Sequence, residues 1–177
     1  MTEEFIAALR QEFAGLRSLA ERAVGQVDDR AFHEAPGADE NSIAVLMQHV
    51  GGNLRSRWTE FRTTDGEKPD RHRDTEFEAG PDRQAVTARW RAGWAALQAS
   101  LDSLRADDLE RTIYIRAQPV TVTAALLRSL AHTAGHVYQI VQLARHWQGG
   151  AWQTLSIPRG DSAEFTRNLA SRTGAPL

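Results

Sequence analysis

The chain has 177 residues, 41% apolar and 25% charged, the composition of an ordinary globular domain spanning residues 1–177. A formal net charge of -2 argues against a dedicated nucleic-acid surface, and the absence of cysteine excludes disulfides, cysteine nucleophiles and thiolate metal sites. No window approaches the roughly 20 apolar residues that cross a bilayer, and the polar start does not resemble a signal peptide. The expectation is a cytoplasmic, bacterial protein without membrane association.

Glu3 to Val27 reads as a first helix, with Phe5, Leu9, Phe13, Leu16, Ala20 and Val24 on one stripe and Thr2 as a candidate cap. Asp28 to Glu40 is a connection marked by Pro36-Gly37, packed down by Phe32. Asn41-Ser42 caps a second helix that runs to about Thr63, with Ile43, Leu46, Met47, Val50, Leu54, Trp58 and Phe61 inward. Inside it, Gly51-Gly52 costs about 1 kcal/mol per glycine against alanine. The pair signals close backbone approach, a local distortion, or merely a tolerated cost. Thr64 to Pro81 is a long polar loop, longer than compact domains usually carry without a function. Phe77 is its candidate anchor. Because it leaves the helix that carries His49, Asp65 to Glu78 is expected to fold back and border any site there.

Asp82 caps a third helix to about Leu104, with Val86, Trp90, Trp94 (or Gly93), Leu97 and Leu101 as its stripe. Thr112 to Ile115 favours extended chain and can pair with Pro119 to Val122 as a short hairpin. Thr121 to Gly149 is the longest helix, capped by Thr121 or Thr123 and closed by Gly149-Gly150. Its expected apolar stripe is Leu127, Leu130, Ala134, Val137, Val141 and Ala144. Trp152, Leu155 and Ile157 are expected to cover a bundle end, and a short helix begins after Gly160-Asp161-Ser162. Four amphipathic segments with long first and second connections imply an all-α bundle with crossover connections.

His132 and His136 stand four residues apart, one turn above the other, a spacing that suits a shared metal. On that reading His49 approaches from the second helix. Three neutral imidazoles leave a coordination position open. The competing reading is ordinary edge chemistry, with both residues at the rim of the apolar arc beside Ala125, Ile140 and Leu143. His33, His72 and His146 read as solvated or structural. Asn53, one turn beyond His49, is a candidate to orient a ligand or a metal-bound water, or to fill a polar gap. Arg57 continues that line toward an anionic substrate or toward solvent. Asp65 stabilises the TTDG turn or shapes the mouth with Arg71 and Arg73. No phosphate loop and no G-x-S-x-G elbow is present. The helical tryptophans have core spacing rather than that of a nucleic-acid stacking platform.

The stretches NSIAVLMQHVGGNLRSRWTEFRTTDGEKPDRHRDTEFE, HTAGHVYQIVQLARHW and WQTLSIPRGDSAEF, in this order, resemble the DinB-like superfamily and within it the DUF1572 group. The resemblance implies a four-helix bundle holding a divalent metal through His49, His132 and His136. Zinc, nickel or iron all suit imidazole. It also implies a possible transferase or isomerase role using a low-molecular-weight thiol such as mycothiol or bacillithiol, and a homodimer. On that reading Arg57, Arg71 and Arg73 are candidate cofactor contacts, and Asn53 and Arg57 candidate catalytic residues acting on a small-molecule substrate. The alternative is a non-catalytic metal- or ligand-binding protein.

Overall fold

The computed structural model describes residues 2–78 and 82–176. The helices are α1 (Thr2–Val24), α2 (Asp29–His33), α3 (Ile43–Trp58), α4 (Arg83–Ser103), α5 (Val122–Gln148) and α6 (Ser162–Thr173), with a hairpin of β1 (Thr112–Ile115) and β2 (Gln118–Thr121) before α5. Thr2, the expected cap, is itself the first residue of α1, and the end of the polar loop at Pro81 lies outside the described residues.

Side-chain caps set the helix starts. The Ser42 hydroxyl accepts from the Val45 amide at 3.3 Å, Asp82 from Ala85 at 2.7 Å and Thr121 from Ala124 at 3.2 Å. Each satisfies an amide that has no partner within its helix. Of the two candidate caps for α5, Thr123 instead donates its hydroxyl to the Leu109 carbonyl at 2.9 Å. α3 stops at Trp58, short of the expected Thr63, because Glu60 adopts a left-handed φ of 47° and the Thr63 and Thr64 amides and hydroxyls all bond back to its carbonyl. That local bonding competes with the helical ladder. The connection after α1 also contains the short helix α2, capped by Asp28, which the sequence pattern did not reveal. Phe32 within it is fully buried, as expected.

The main helix contacts run α1 to α5, α5 to α3 and α3 to α4, with a slighter α1 to α4 contact closing the bundle. Sequential helices α1 and α3, and α4 and α5, are therefore diagonal, so those two connections cross over, whereas the long second connection, from α3 to α4, joins neighbouring helices and is not the crossover its length suggested. The core joins Phe13, Leu54, Trp90, Leu97, Leu101 and Leu126 across the four long helices.

Where α3 meets α4, Gly51 and Gly93 oppose each other. A Cβ at Gly51 would stand 2.8 Å from the Arg89 carbonyl oxygen, and one at Gly93 would strike the Gly51 backbone. Of the readings open for Gly51, close backbone approach is the one realised.

α5 is rotated relative to its expected stripe. Leu127 is 49% exposed, and the buried face is Val122, Ala125, Leu126, Ser129, Thr133, Val137, Ile140 and Ala144. Apolarity alone misplaced this face because two hydroxyls lie on it. Ser129 accepts from the Trp58 indole at 3.1 Å. His132 and His136 consequently lie on the side facing α3, half-buried, rather than at an outer rim.

The hairpin pairs Thr112 with Thr121 and Ile115 with Gln118. Its turn places Arg116 and Ala117 at left-handed φ of 55° and 59°. The Asp65 carboxylate accepts from both of their amides, at 2.8 and 2.7 Å, and from the Glu67 amide at 2.7 Å. Asp65 thus stabilises its own turn and ties the loop after α3 to the hairpin. These amide bonds, led by that from Glu67, hold its carboxyl below the usual range.

Trp152 and Leu155 pack against the core end, whereas Ile157 is 40% exposed. α6 buries no residue. Among the described residues, no helix is long and apolar enough to cross a membrane.

Candidate metal centre

His49 projects from α3 toward α5, and the polar loop folds back over it. A Cβ at Gly52 would collide with the Glu76 carboxylate, so the second glycine of the pair makes room for this loop residue. Glu76 is buried and accepts from His49 Nδ1 at 3.0 Å. Arg71 grips the same carboxylate with two bonds, at 2.8 and 2.7 Å. Burial alone would raise the Glu76 carboxyl, but the hydrogen bonds from Arg71 and His49 outweigh it and hold the group below its ordinary value. A carboxylate can only accept, so His49 carries a proton on Nδ1, the tautomer that in the neutral ring leaves the Nε2 lone pair for a metal. The Phe77 ring packs on His49, with centroids 4.7 Å apart.

From α5, His132 and His136 complete a cluster. His49 Nε2 lies 3.1 Å from His132 Nε2, and the candidate ligand atoms of all three residues lie within 4.8 Å of one another. His136 Nδ1 bonds the Gln139 side-chain oxygen at 2.8 Å, which leaves its Nε2 unprotonated in the neutral ring. Burial, with help from His136 and His49, pushes His132 down to about 4. Burial likewise lowers His136, against an opposing hydrogen bond from Gln139. The two α5 rings are therefore neutral near pH 7, the state in which imidazole coordinates metal.

The donor set suits a divalent ion. Two imidazole nitrogens on a tetrahedral metal with bonds of 2.0–2.1 Å stand about 3.3 Å apart, close to the His49–His132 separation. The carboxylate behind His49 is the outer-shell partner that metal-bound histidines usually have. His132 Nδ1, by contrast, is buried without a hydrogen-bond partner among the described residues.

A cavity of about 200 Å³ opens beside His49 and His132, walled by α3, the loop, the hairpin and α5. Asn53 faces it and makes no hydrogen bond to another described residue. Arg57, Arg71, Arg73, Arg116 and Arg128 also line it. Arg57 donates to the Gly66 carbonyl and to Glu67, and Arg71 and Arg116 donate to Glu67 as well. The structure thus brings His49, His132, His136, Asn53, Arg57, Arg71 and Arg73 to one place, and the loop does border the mouth. Asp65 is not among the lining residues; its carboxylate holds the hairpin turn instead. His33, His72 and His146 lie elsewhere. His33 Nδ1 bonds the Asp29 carbonyl at 2.9 Å, and His146 packs on Trp147 with ring centroids 4.7 Å apart.

Sequence reasoning missed Glu76 and Arg128. The signal for Glu76 was Gly52, a helical glycine beside a candidate ligand, together with an acidic residue next to the loop's aromatic anchor. For Arg128 it was the four-residue step back from His132 along the same face.

The crossing helices, the hairpin before α5 and the histidine cluster shared by α3 and α5 define a DinB-like helical bundle with a site suited to metal. Residues 1–161 match the family model described as protein of unknown function (DUF1572), and the chain belongs to that family. The matched region stops before α6. Among curated proteins, none matches the chain.

Proposed function

We propose that His49, His132 and His136 hold one divalent metal, zinc, nickel or iron, and that the protein is a metal-dependent transferase acting with a low-molecular-weight thiol of the mycothiol or bacillithiol kind. The observation that carries this reading is three imidazoles converging within 4.8 Å at the wall of a polar cavity. A divalent metal there supplies a Lewis-acid position that lowers the pKa of a coordinated thiol or water. Glu76 fixes the His49 tautomer and ring orientation. Asn53 is the neutral donor and acceptor that orients the ligand. Arg57, engaged by Gly66 and Glu67, positions the loop wall. A chain without cysteine takes its thiol from the cofactor.

One observation favours a second reading, a non-catalytic metal- or ligand-binding protein. No carboxylate is among the described residues that line the cavity, so the protein offers no evident general base there. Metal-loaded protein screened against electrophiles with mycothiol, bacillithiol and glutathione separates the two. Turnover with one thiol, lost in a folded His132→Ala variant, supports the transferase. No turnover by fully metallated protein removes it.

The proposal extends to assembly as a homodimer through a helix face. Leu127 and Tyr138 on α5, 49% and 61% exposed, support it as apolar groups left at the surface. A monomer mass by light scattering across working concentrations would remove it.

A further inference from the structure

We infer that the cavity binds an oxyanion through Arg128 and Arg73, so that its ligand is a small molecule bearing a carboxylate or phosphate. The inference rests on the reading that this cavity is the ligand site, and it assigns the charge of the ligand and the residues that read it.

The arginines of the cavity fall into two groups. Arg57 and Arg71 are largely withdrawn from solvent, with side chains 12% and 5% exposed, and both are ion-paired, Arg57 to Glu67 at 2.9 Å and Arg71 to Glu76 at 2.7 Å. Arg116 pairs with Glu67 at 3.0 Å. These three guanidinium groups are occupied in building the wall. Arg128 and Arg73 line the same cavity yet form no ion pair or hydrogen bond to another described residue. Arg73 lies over the Phe77 ring, 5.1 Å from its centroid, and that ring packs in turn on His49.

Two unpaired guanidinium groups at a concave polar site attract an anion, and their planar forks match carboxylate and phosphate oxygens. They come from different elements, Arg128 from α5 and Arg73 from the loop. Arg128 precedes His132 by four residues on one helix face, a rise of about 6 Å. A ligand gripped there places its other end at the histidine cluster if it is only a few bonds long. Of the three arginines the sequence first suggests, Arg57, Arg71 and Arg73, this assignment keeps Arg73 and replaces the other two by Arg128.

The test is calorimetric titration of the protein, as purified and after chelation, with succinate and separately with inorganic phosphate at low ionic strength. Wild-type protein is expected to bind at least one of them. The Arg128→Met and Arg73→Met variants should each bind about tenfold more weakly or worse, whereas Arg91→Met, an exposed change on α4, should match wild type. Arg128→Lys, which keeps the charge and loses the fork, should recover part of the loss. The two titrants decide between carboxylate and phosphate. Binding of neither anion, or equal affinity in Arg128→Met and wild type, overturns the inference. Zinc titration of the same proteins is an independent readout. Anion binding by a chain that takes up no zinc sustains this site and removes the metal reading. Normal zinc uptake with unaltered anion affinity in Arg128→Met does the reverse.

Discussion

Along α3, the seam with α4 is closed by glycine and tryptophan, whereas the seam with α5 is held open by imidazole, amide and guanidinium groups. Gly51 and Gly93 let two backbones approach until no Cβ fits between them, with Trp90 and Trp94 buried alongside. Residues His49, Asn53 and Arg57 occupy the other side, with the cavity between them and α5. The adjacent glycines divide between these tasks, since Gly51 admits a helix and Gly52 admits a carboxylate. A single helix can therefore serve as scaffold on one face and as ligand platform on another, with a change of one residue in register between them.

The largest break in the comparison comes at the open seam. His132→Ala should weaken zinc binding about a thousandfold, as expected when one ligand of a few is lost. A chelator competition titration measures it, and unchanged affinity would remove His132 from the ligand set. Gly51→Ala breaks the closed seam instead. Its Cβ meets α4 backbone that cannot yield locally, so a loss of about 3 kcal/mol is expected. Urea unfolding reads this directly, and a loss below about 1 kcal/mol would mean that the helices part easily.

Glu76→Gln sharpens the comparison by acting behind the ligand, on the acceptor of His49 and on the Arg71 ion pair. It should weaken metal binding about 10- to 100-fold, the usual consequence of losing the carboxylate behind a metal-bound histidine. Equal metal affinity in the variant and wild type would make Glu76 a partner of Arg71 only.

The smallest effect is electrostatic and lies near the α4 end. Arg62, just past α3, bonds the Ser103 carbonyl at 2.8 Å and Asp108 at 2.7 and 3.0 Å. The Arg62 hydrogen bond is the main cause that holds Asp108 at about 2, against an ordinary 3.8. A depressed folded-state pKa gives stability that is present above 3.8 and is lost as pH falls toward about 2. Asp108→Asn should therefore cost about 1–2 kcal/mol at neutral pH and flatten the stability profile in that acidic window. Unfolding curves for both proteins between pH 5 and 2 would show parallel profiles if the ion pair is inert.

Much of this was legible in the chain. The long helices declared themselves through period and caps, and the hairpin through Thr112 to Ile115, because those signals are local. His132 and His136 were visible as a pair for the same reason. The rotation of α5 was not, since Ser129 and Thr133 break the link between burial and apolarity. Nor was Glu76. It reaches His49 across 27 residues of chain, and its partner is defined by a fold-back that no local pattern encodes. The chain order placed the loop about 20 Å from His49 at 1.5 Å per helical residue. Arg71 and Glu76 bring it back by pairing where the histidine lies. Arg57 and Arg71 looked like ligand contacts because sequence shows charge and hides its partners.

The Asp65 tie has a consequence for the order of assembly. Its bonds to Arg116 and Ala117 close a chain segment of 51 and 52 residues. Closing a loop of that length costs about 3.5 kcal/mol of chain entropy, so it becomes favourable only after the segment between has become compact. That segment contains α4, which contributes no residue to the cavity lining. On this entropy argument α4 is expected to fold onto α3 before the cavity wall closes, with the loop and hairpin ordering late, which φ-values for the hairpin near zero would bear out. Slowing the glycine seam would delay the appearance of the ligand site without altering any group within it.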